Sequence, residues 1–201
     1  MLFRLISLLL LMALCAPLRA EVVRESRAFA TLGEPKYAPG FSHFDYADPA
    51  APKGGQLTQA VVGTYDNFNR YASRGNPGAG TETLYDRLFT SSDDEPGSYY
   101  PLVAESARYA DDFRWMEIRL NPRAQFHDGT PITASDVAFT FDKFMREGVP
   151  QFRVIYRGAT VKALDGQRVR IDLPKPDRDL MLGLLTLPVL SQRDWQDRKS
   201  V

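Results

Sequence analysis

Cysteine is nearly absent: Cys15 is the only one among 201 residues. Without a second thiol no internal disulfide or thiolate metal site can form, so folding must rest on the core alone. Histidine is almost as sparse, with His43 and His127 only, whereas a zinc site needs three or four ligands. Neither sign of charge dominates, since 25 basic residues face 25 acidic ones. That balance excludes a nucleic-acid footprint or a polybasic membrane patch. After Ala20 no apolar run approaches the roughly 20 residues that a membrane-crossing helix needs. There is no G-x-S-x-G motif, and the Ser residues have no spaced His/Asp partners that suggest a triad. Gly75–Gly80 is glycine-rich but lacks the Lys-Ser/Thr that completes a phosphate loop. No internal repeat or low-complexity tract is present.

The first twenty residues have the make-up of a secretory signal. Arg4 is a short positive region, Leu5, Ile6 and Leu8–Leu14 are apolar, and Leu18-Arg19-Ala20 offers a small residue for cleavage. Cleavage after Ala20 leaves Glu21 as the N-terminus, no cysteine, and two more acidic than basic residues. Lipid attachment at Cys15 is disfavoured by Leu14, because acylation wants a small preceding residue. The remaining chain of about 180 residues suffices for one or two domains with a sizeable core.

Residues 21–56 carry many Pro and Gly residues, which predicts an extended, turn-rich arm. Phe29, Tyr37, Phe41, Phe44 and Tyr46 should pack it along a domain surface. Leu57–Val62 reads as a first buried strand, 63–80 as a polar loop, and Thr81–Phe89 as a short helix with Leu84, Tyr85 and Leu88 at helical spacing. Ser91–Ser98 reads as a loop whose acidic run is solvated, and Pro101–Arg108 as a helical turn. Trp115–Leu120 alternates with Met116, Ile118 and Leu120 on one face. Gln125–His127 continues as strand before the turn Asp128–Pro131. Thr133 and Asp136 form a capping box that opens a helix to Gly148, with Val137, Phe141, Phe144 and Met145 on its inner face. Asp165-Gly166 predicts a hairpin between Val161–Leu164 and Gln167–Leu173, with positive φ at both turn positions. Asp177–Leu185 suits a short helix and Leu187–Leu190 an extended segment.

The run WMEIRLNPRAQFHDGTPITASDVAFTFDKF, Trp115–Phe144, resembles the signature of family 5 extracellular solute-binding proteins, the peptide and nickel receptors of ABC importers. GEPKY at Gly33–Tyr37, HFDY at His43–Tyr46 and PxAPKGG at Pro49–Gly55 are similar to the Yej-type oligopeptide receptors, which also take up microcin C. The resemblance implies a mixed α/β (α+β) fold of the periplasmic type II binding-protein class. In that fold, two lobes close on an extended peptide held by main-chain hydrogen bonds. Family receptors are much longer, so the resemblance implies an incomplete receptor. Its expected parts are a signal (1–20), an arm and first strand of the large lobe (21–62), the small lobe (63–190) and a polar tail (191–201).

The resemblance further implies a monomeric periplasmic receptor component with no cofactor and no catalysis. Its expected partners are an oligopeptide and the permease and ATPase of an ABC transporter. The alternatives are a truncated fragment that binds nothing, and a secreted hydrolase. Candidate ligand contacts are Tyr65, Asn67, Phe68, Asn69 and Arg70, just after the expected first strand, and Tyr85 beyond them. Strand ends of α/β folds open onto ligand crevices. Amide side chains pair with peptide backbone, and rings cover apolar side chains. Arg70 stands where the subfamily commonly has proline, and offers a charge to a ligand carboxylate. Tyr99-Tyr100 belongs to the lobe surface or core. His127-Asp128 is read as turn structure rather than as metal or acid–base chemistry.

Overall fold

The computed structural model describes residues 21–71 and 74–197; the expected export signal, Cys15 included, lies outside them. The chain runs β1 (Val23–Ser26), β2 (Phe29–Ala30), a 3-10 turn (Thr81–Leu84), β3 (Phe89–Ser92), β4 (Glu95–Pro101), β5 (Ala104–Ala110) and β6 (Trp115–Leu120). Then come α1 (Ala134–Glu147), α2 (Pro150–Ile155), β7 (Thr160–Ala163), β8 (Arg168–Asp172), α3 (Arg178–Leu185) and α4 (Gln192–Asp197). One antiparallel sheet has the order β1-β5-β6-β8-β7, and a smaller one the order β2-β4-β3.

Strand β6 fixes the larger sheet. Its alternation puts Met116, Ile118 and Leu120 on one face, all fully buried. Ile171 and Val169 stand opposite Met116 and Ile118 in register, so the apolar face continues across β8. Each such side chain contributes roughly 1.5–3 kcal/mol by leaving water. Helix α1 and the buried Met181, Leu182, Leu184 and Leu185 of α3 belong to the same core. The other face is charged. Arg170 bonds Glu117 (3.0 Å) and Asp172 (2.8 Å) and lies 4.1 Å from the Trp115 ring centroid. This is the apolar-in, polar-out division of a one-sided antiparallel sheet.

Helix α1 begins as its sequence dictates. Thr133 Oγ1 accepts the Asp136 N–H, and Asp136 Oδ2 accepts the Thr133 N–H at 2.9 Å. Gly148 ends it, its N–H donating to the Phe144 carbonyl.

Several expectations are corrected. Leu57–Val62 forms no strand: Leu57, Val61 and Val62 are exposed, and no strand among the described residues pairs with them. A strand needs a partner for its amides, and none is provided there. Thr81–Leu84 is a single 3-10 turn, and Leu88 and Phe89 are buried beyond it. The expected loop at 91–98 is the β3–β4 hairpin, and the expected helical turn at 101–108 is β5. Short Ser-, Ala- and Tyr-rich segments have weak preferences of their own, and pairing decides their state. Gln125–His127 contributes only an isolated bridge, Gln125 to Pro131. The 165–166 hairpin is present, but neither turn residue has positive φ. Asp165 Oδ1 closes the loop instead, accepting the N–H of Gln167 and of Arg168. The tail includes α4, and α2 has no counterpart in the expectations.

The arm is tied down more firmly than its composition announces. Besides strands β1 and β2, its rings Tyr37, Phe41 and Phe44 surround Tyr100, with centroids 5.2–5.5 Å from that ring. The acidic run read as a solvated loop holds this arrangement. Asp94 pairs with Lys36 (2.6 Å) and accepts from the Tyr37 hydroxyl (2.6 Å), while Glu95 accepts from the Lys36 N–H (2.9 Å) and the Tyr100 hydroxyl. Burial and the Glu95 contact push the Tyr100 hydroxyl up to about 12. Gly97 has φ +78, and a Cβ there would lie 2.1 Å from Thr31 Oγ1, so only glycine lets the arm approach β4.

Hydrogen bonds from Lys36, then Ser92 and Tyr37, hold the Asp94 carboxyl well below its ordinary value of 3.8. A depressed carboxylate stabilises the folded arm above the ordinary value, and that contribution is lost as pH falls through the folded one. Acidification below about pH 4 should therefore lower the protection factors of residues 36–46, with exchange referenced to the unfolded chain at each pH, before the sheet yields. Asp94→Asn should remove that pH dependence and leave the arm faster-exchanging even at neutral pH. Mass-spectrometric exchange between pH 3 and 7 reads both effects.

Candidate functional site

Four chain segments meet around one open groove of about 700 Å³. Its walls are Asn67, Phe68 and Asn69; Leu84, Tyr85 and Asp86; Gln125–Asp128 with Ile132; and Val189–Ser191 with Asp194 and Trp195. A smaller hollow of about 250 Å³ adjoins it, and Asn69, Leu190 and Trp195 line both. Amides, rings and carboxylates alternate around the larger groove. Such a mixture of apolar surface with a few polar groups suits an organic ligand held by hydrogen bonds.

The first wall is a laced loop. The Asp66 N–H donates to the Asn76 carbonyl (3.0 Å), and the Gly78 N–H donates to the Asn67 carbonyl (2.9 Å). Asp66 Oδ1 also accepts the Asn76 N–H (2.9 Å) and the Asn67 Nδ2 amide (2.6 Å). Asn67 Oδ1 then accepts the Asn69 N–H, and Asn69 Oδ1 the Tyr71 N–H, each at 3.0 Å. These are Asx turns, in which the side-chain oxygens serve the loop itself. Among the described residues, the Asn69 Nδ2 amide has no hydrogen-bond partner, so it is the donor this loop has to offer.

The second and fourth walls are joined. The Val189 N–H donates to the Asp86 carbonyl at 2.9 Å, and Arg87 bridges Pro188 antiparallel. The third wall is a tight turn. The Phe126 N–H donates to the Thr130 carbonyl (2.8 Å), and Asp128 Oδ1 accepts the Thr130 N–H (2.9 Å) and hydroxyl (2.6 Å). Those bonds, then the Arg193 guanidinium, lower the Asp128 carboxyl to about 2. The turn reading of Asp128 therefore agrees with its contacts, yet His127 and Asp128 also line the groove.

Of the six residues expected to face ligand, Asn67, Phe68, Asn69 and Tyr85 stand on this groove. Tyr65 and Arg70 do not line it; Tyr65 lies exposed beside Phe68, ring centroids 5.1 Å apart. The groove also takes in Gln125, Phe126, Asp194 and Trp195, which the sequence did not single out. Pattern gives no signal for the last two, because they lie in a polar tail that joins the site only through tertiary contact.

Among the described residues no group of three His, Cys, Asp or Glu side chains could hold a metal ion. Ser42 Oγ lies 2.8 Å from His43 Nδ1, but the two are sequence neighbours on the exposed arm. A nucleophile pair needs its base oriented by a third group. Among the described residues no carboxylate bonds His43.

A family model, bacterial extracellular solute-binding proteins, family 5 Middle, matches residues 98–199. Uncharacterized protein YejA of Escherichia coli (strain K12) is 66% identical over 181 residues, 90% of this chain and 30% of that protein. The "Probable peptide-binding protein YejA" of Agrobacterium fabrum is 36% identical over 81% of this chain and 26% of its own length. The crystal structure of the ABC transporter substrate-binding protein CtaP from Listeria monocytogenes superposes with a TM-score of 0.54 and 25% identity. That superposition covers 68% of this chain and 28% of CtaP. The chain thus spans less than a third of the length of these relatives.

Gly75 is a sensitive point of the groove wall. Its φ is +84, and a Cβ would fall 2.5 Å from Asp66 Oδ1. Gly75→Ala adds a left-handed penalty of about 1–2 kcal/mol to that clash. We expect amide exchange at Asn76 and Gly78 to quicken about tenfold or more, with the sheet unaffected, as measured by two-dimensional NMR.

Proposed function

This chain belongs to the bacterial extracellular solute-binding proteins of family 5, and from that premise we propose that it forms one wall of a peptide-gripping cleft serving an ABC importer. The observation that carries this reading is the groove itself. It is open, amide-bearing and lined by rings, as the main chain and side chains of an extended peptide require. The Agrobacterium relative is named as peptide-binding, and CtaP as an ABC transporter substrate-binding protein. Asn69 Nδ2 offers a donor to a peptide carbonyl, and Phe68 and Tyr85 cover apolar side chains. Arg70, outside the groove wall, is assigned a longer-range attraction for a ligand carboxylate, and Tyr65 a rim contact beside Phe68.

The protein then performs no chemistry. Transport energy comes from the ATPase of the transporter, and the permease receives the ligand. Residues 1–20 direct export to the periplasm. Residues 21–62 are the arm with the apolar segment Leu57–Val62, which would pair only within a large lobe, 63–190 the small lobe, and 191–201 a short tail. The exposure of Leu57, Val61 and Val62 favours this reading, since they are apolar and unpaired among the described residues. The same exposure supports a second reading, a fragment that self-associates without binding.

Calorimetry with an equimolar pool of synthetic tri- to hexapeptides, run beside a monodispersity measurement, separates the two. Heat from a monodisperse chain is the expected result; no heat from a self-associated one selects the inert fragment. Asn69→Asp keeps the oxygen that accepts the Tyr71 N–H but removes the free amide donor. It should weaken pool binding about tenfold, near the value of one well-placed hydrogen bond.

A further inference from the structure

Helix α1 buries three polar side chains on one stripe. Asp136, Thr140 and Lys143 follow at i, i+4 and i+7, and are 8%, 0% and 9% exposed. Such spacing puts them on a single helix face, where an amphipathic pattern calls for apolar residues. Buried polar groups persist where they have partners, and the loss of one partner is costly. Here the partners lie in one stretch of chain, residues 190–195, or in the helix and its cap.

The rungs are explicit. Asp136 Oδ1 accepts the Gln192 N–H at 3.0 Å, while its other oxygen serves the helix cap. Thr140 Oγ1 accepts the Leu190 N–H at 2.9 Å and donates to the Asp136 carbonyl at 2.7 Å. Lys143 Nζ sits 4.6 Å from the Trp195 ring centroid and 2.5 Å from a Glu147 carboxylate oxygen. Arg193 adds a tie to Asp128 on the turn that forms the third wall. Trp195 lines both the groove and the smaller hollow, so its ring forms part of the divide between them.

With the groove read as a peptide wall, we propose that Trp195 is a ligand-contacting side chain, and that Asp136, Thr140 and Lys143 are the residues that position it. The ligand group it meets is an apolar or aromatic side chain of an extended peptide. The ring covers that side chain, while the neighbouring Asn69 amide takes a main-chain carbonyl. An aromatic anchor on a braced backbone is the kind of group that dominates binding energy. Bracing also lowers the ordering cost of binding.

The test uses Trp195→Ala, Thr140→Val and Thr140→Ser with the same tri- to hexapeptide pool, read by calorimetry and by tryptophan emission. The chain has two tryptophans, so Trp195→Phe isolates the Trp115 spectrum. Trp195→Ala, which removes a half-buried side chain outside the sheet, should weaken pool binding about tenfold or more with the fold intact by circular dichroism. Thr140→Val should weaken it comparably and shift the Trp195 emission. Thr140→Ser, which keeps the oxygen, should restore both. Parental affinity in Trp195→Ala would overturn the contact. Parental emission and affinity in a folded Thr140→Val would overturn the positioning. If the parent chain itself binds no peptide in the pool, the reading of the groove falls, and this assignment with it.

Discussion

The carboxylate of Asp136 does two things at once, and much of the architecture depends on both. One oxygen satisfies the first turn of α1, and the other holds the backbone at Gln192. The cap fixes where the helix starts, and so which residues face the sheet. Val137 and Phe141 then enter the core beside Met116, Ile118 and Ile171. The tether brings the end of the described chain back across the helix, which places Leu190, Ser191, Asp194 and Trp195 against segments as much as a hundred residues and more earlier. A buried carboxylate of this kind is tolerable because each oxygen is bonded.

The groove is thus a product of packing between elements, and no one element contains it. Its four walls are a loop laced by Asp66, a strand approach after the 3-10 turn, an Asx-type turn at Asp128, and the tethered segment. The loop and the turn are fixed by local hydrogen bonds and the other two walls by bonds between distant segments, so the groove's polar groups stand largely preformed. Preformed donors reduce the ordering cost that an extended ligand would otherwise incur. On the face of the sheet away from the core, Arg170 joins Glu117 to Asp172 and stacks on the Trp115 ring, which covers that surface with paired charge. The arm is secured separately by the ring cluster about Tyr100 and the ion pair of Lys36 with Asp94.

Elements whose side chains follow a strict period were legible in the sequence. The alternation Met116, Ile118, Leu120 marked β6, and Thr133 with Asp136 marked the start of α1. Segments such as Glu95–Pro101 and Ala104–Ala110 carry small and turn-favouring residues without a period, and only their neighbours make them strands. Leu57–Val62 has the composition of a strand but no partner among the described residues, so composition alone misled. Asp165-Gly166 marked the hairpin correctly, while the carboxylate rather than positive φ closes it. At the groove, Asn67, Phe68, Asn69 and Tyr85 were legible from residue type and position. Trp195 was not, although Asp136, Thr140 and Lys143 on what should be an apolar stripe were a readable sign that the helix holds something polar.

Ligand should meet the described chain along this groove and its rim. Hydrogen–deuterium exchange of the chain with and without the tri- to hexapeptide pool tests that directly. New protection is expected at residues 67–69, 84–86, 125–128 and 190–195, with β1, β7 and α2 unchanged. Protection confined to the charged face of the sheet or to the arm, with those four segments unaltered, would contradict it.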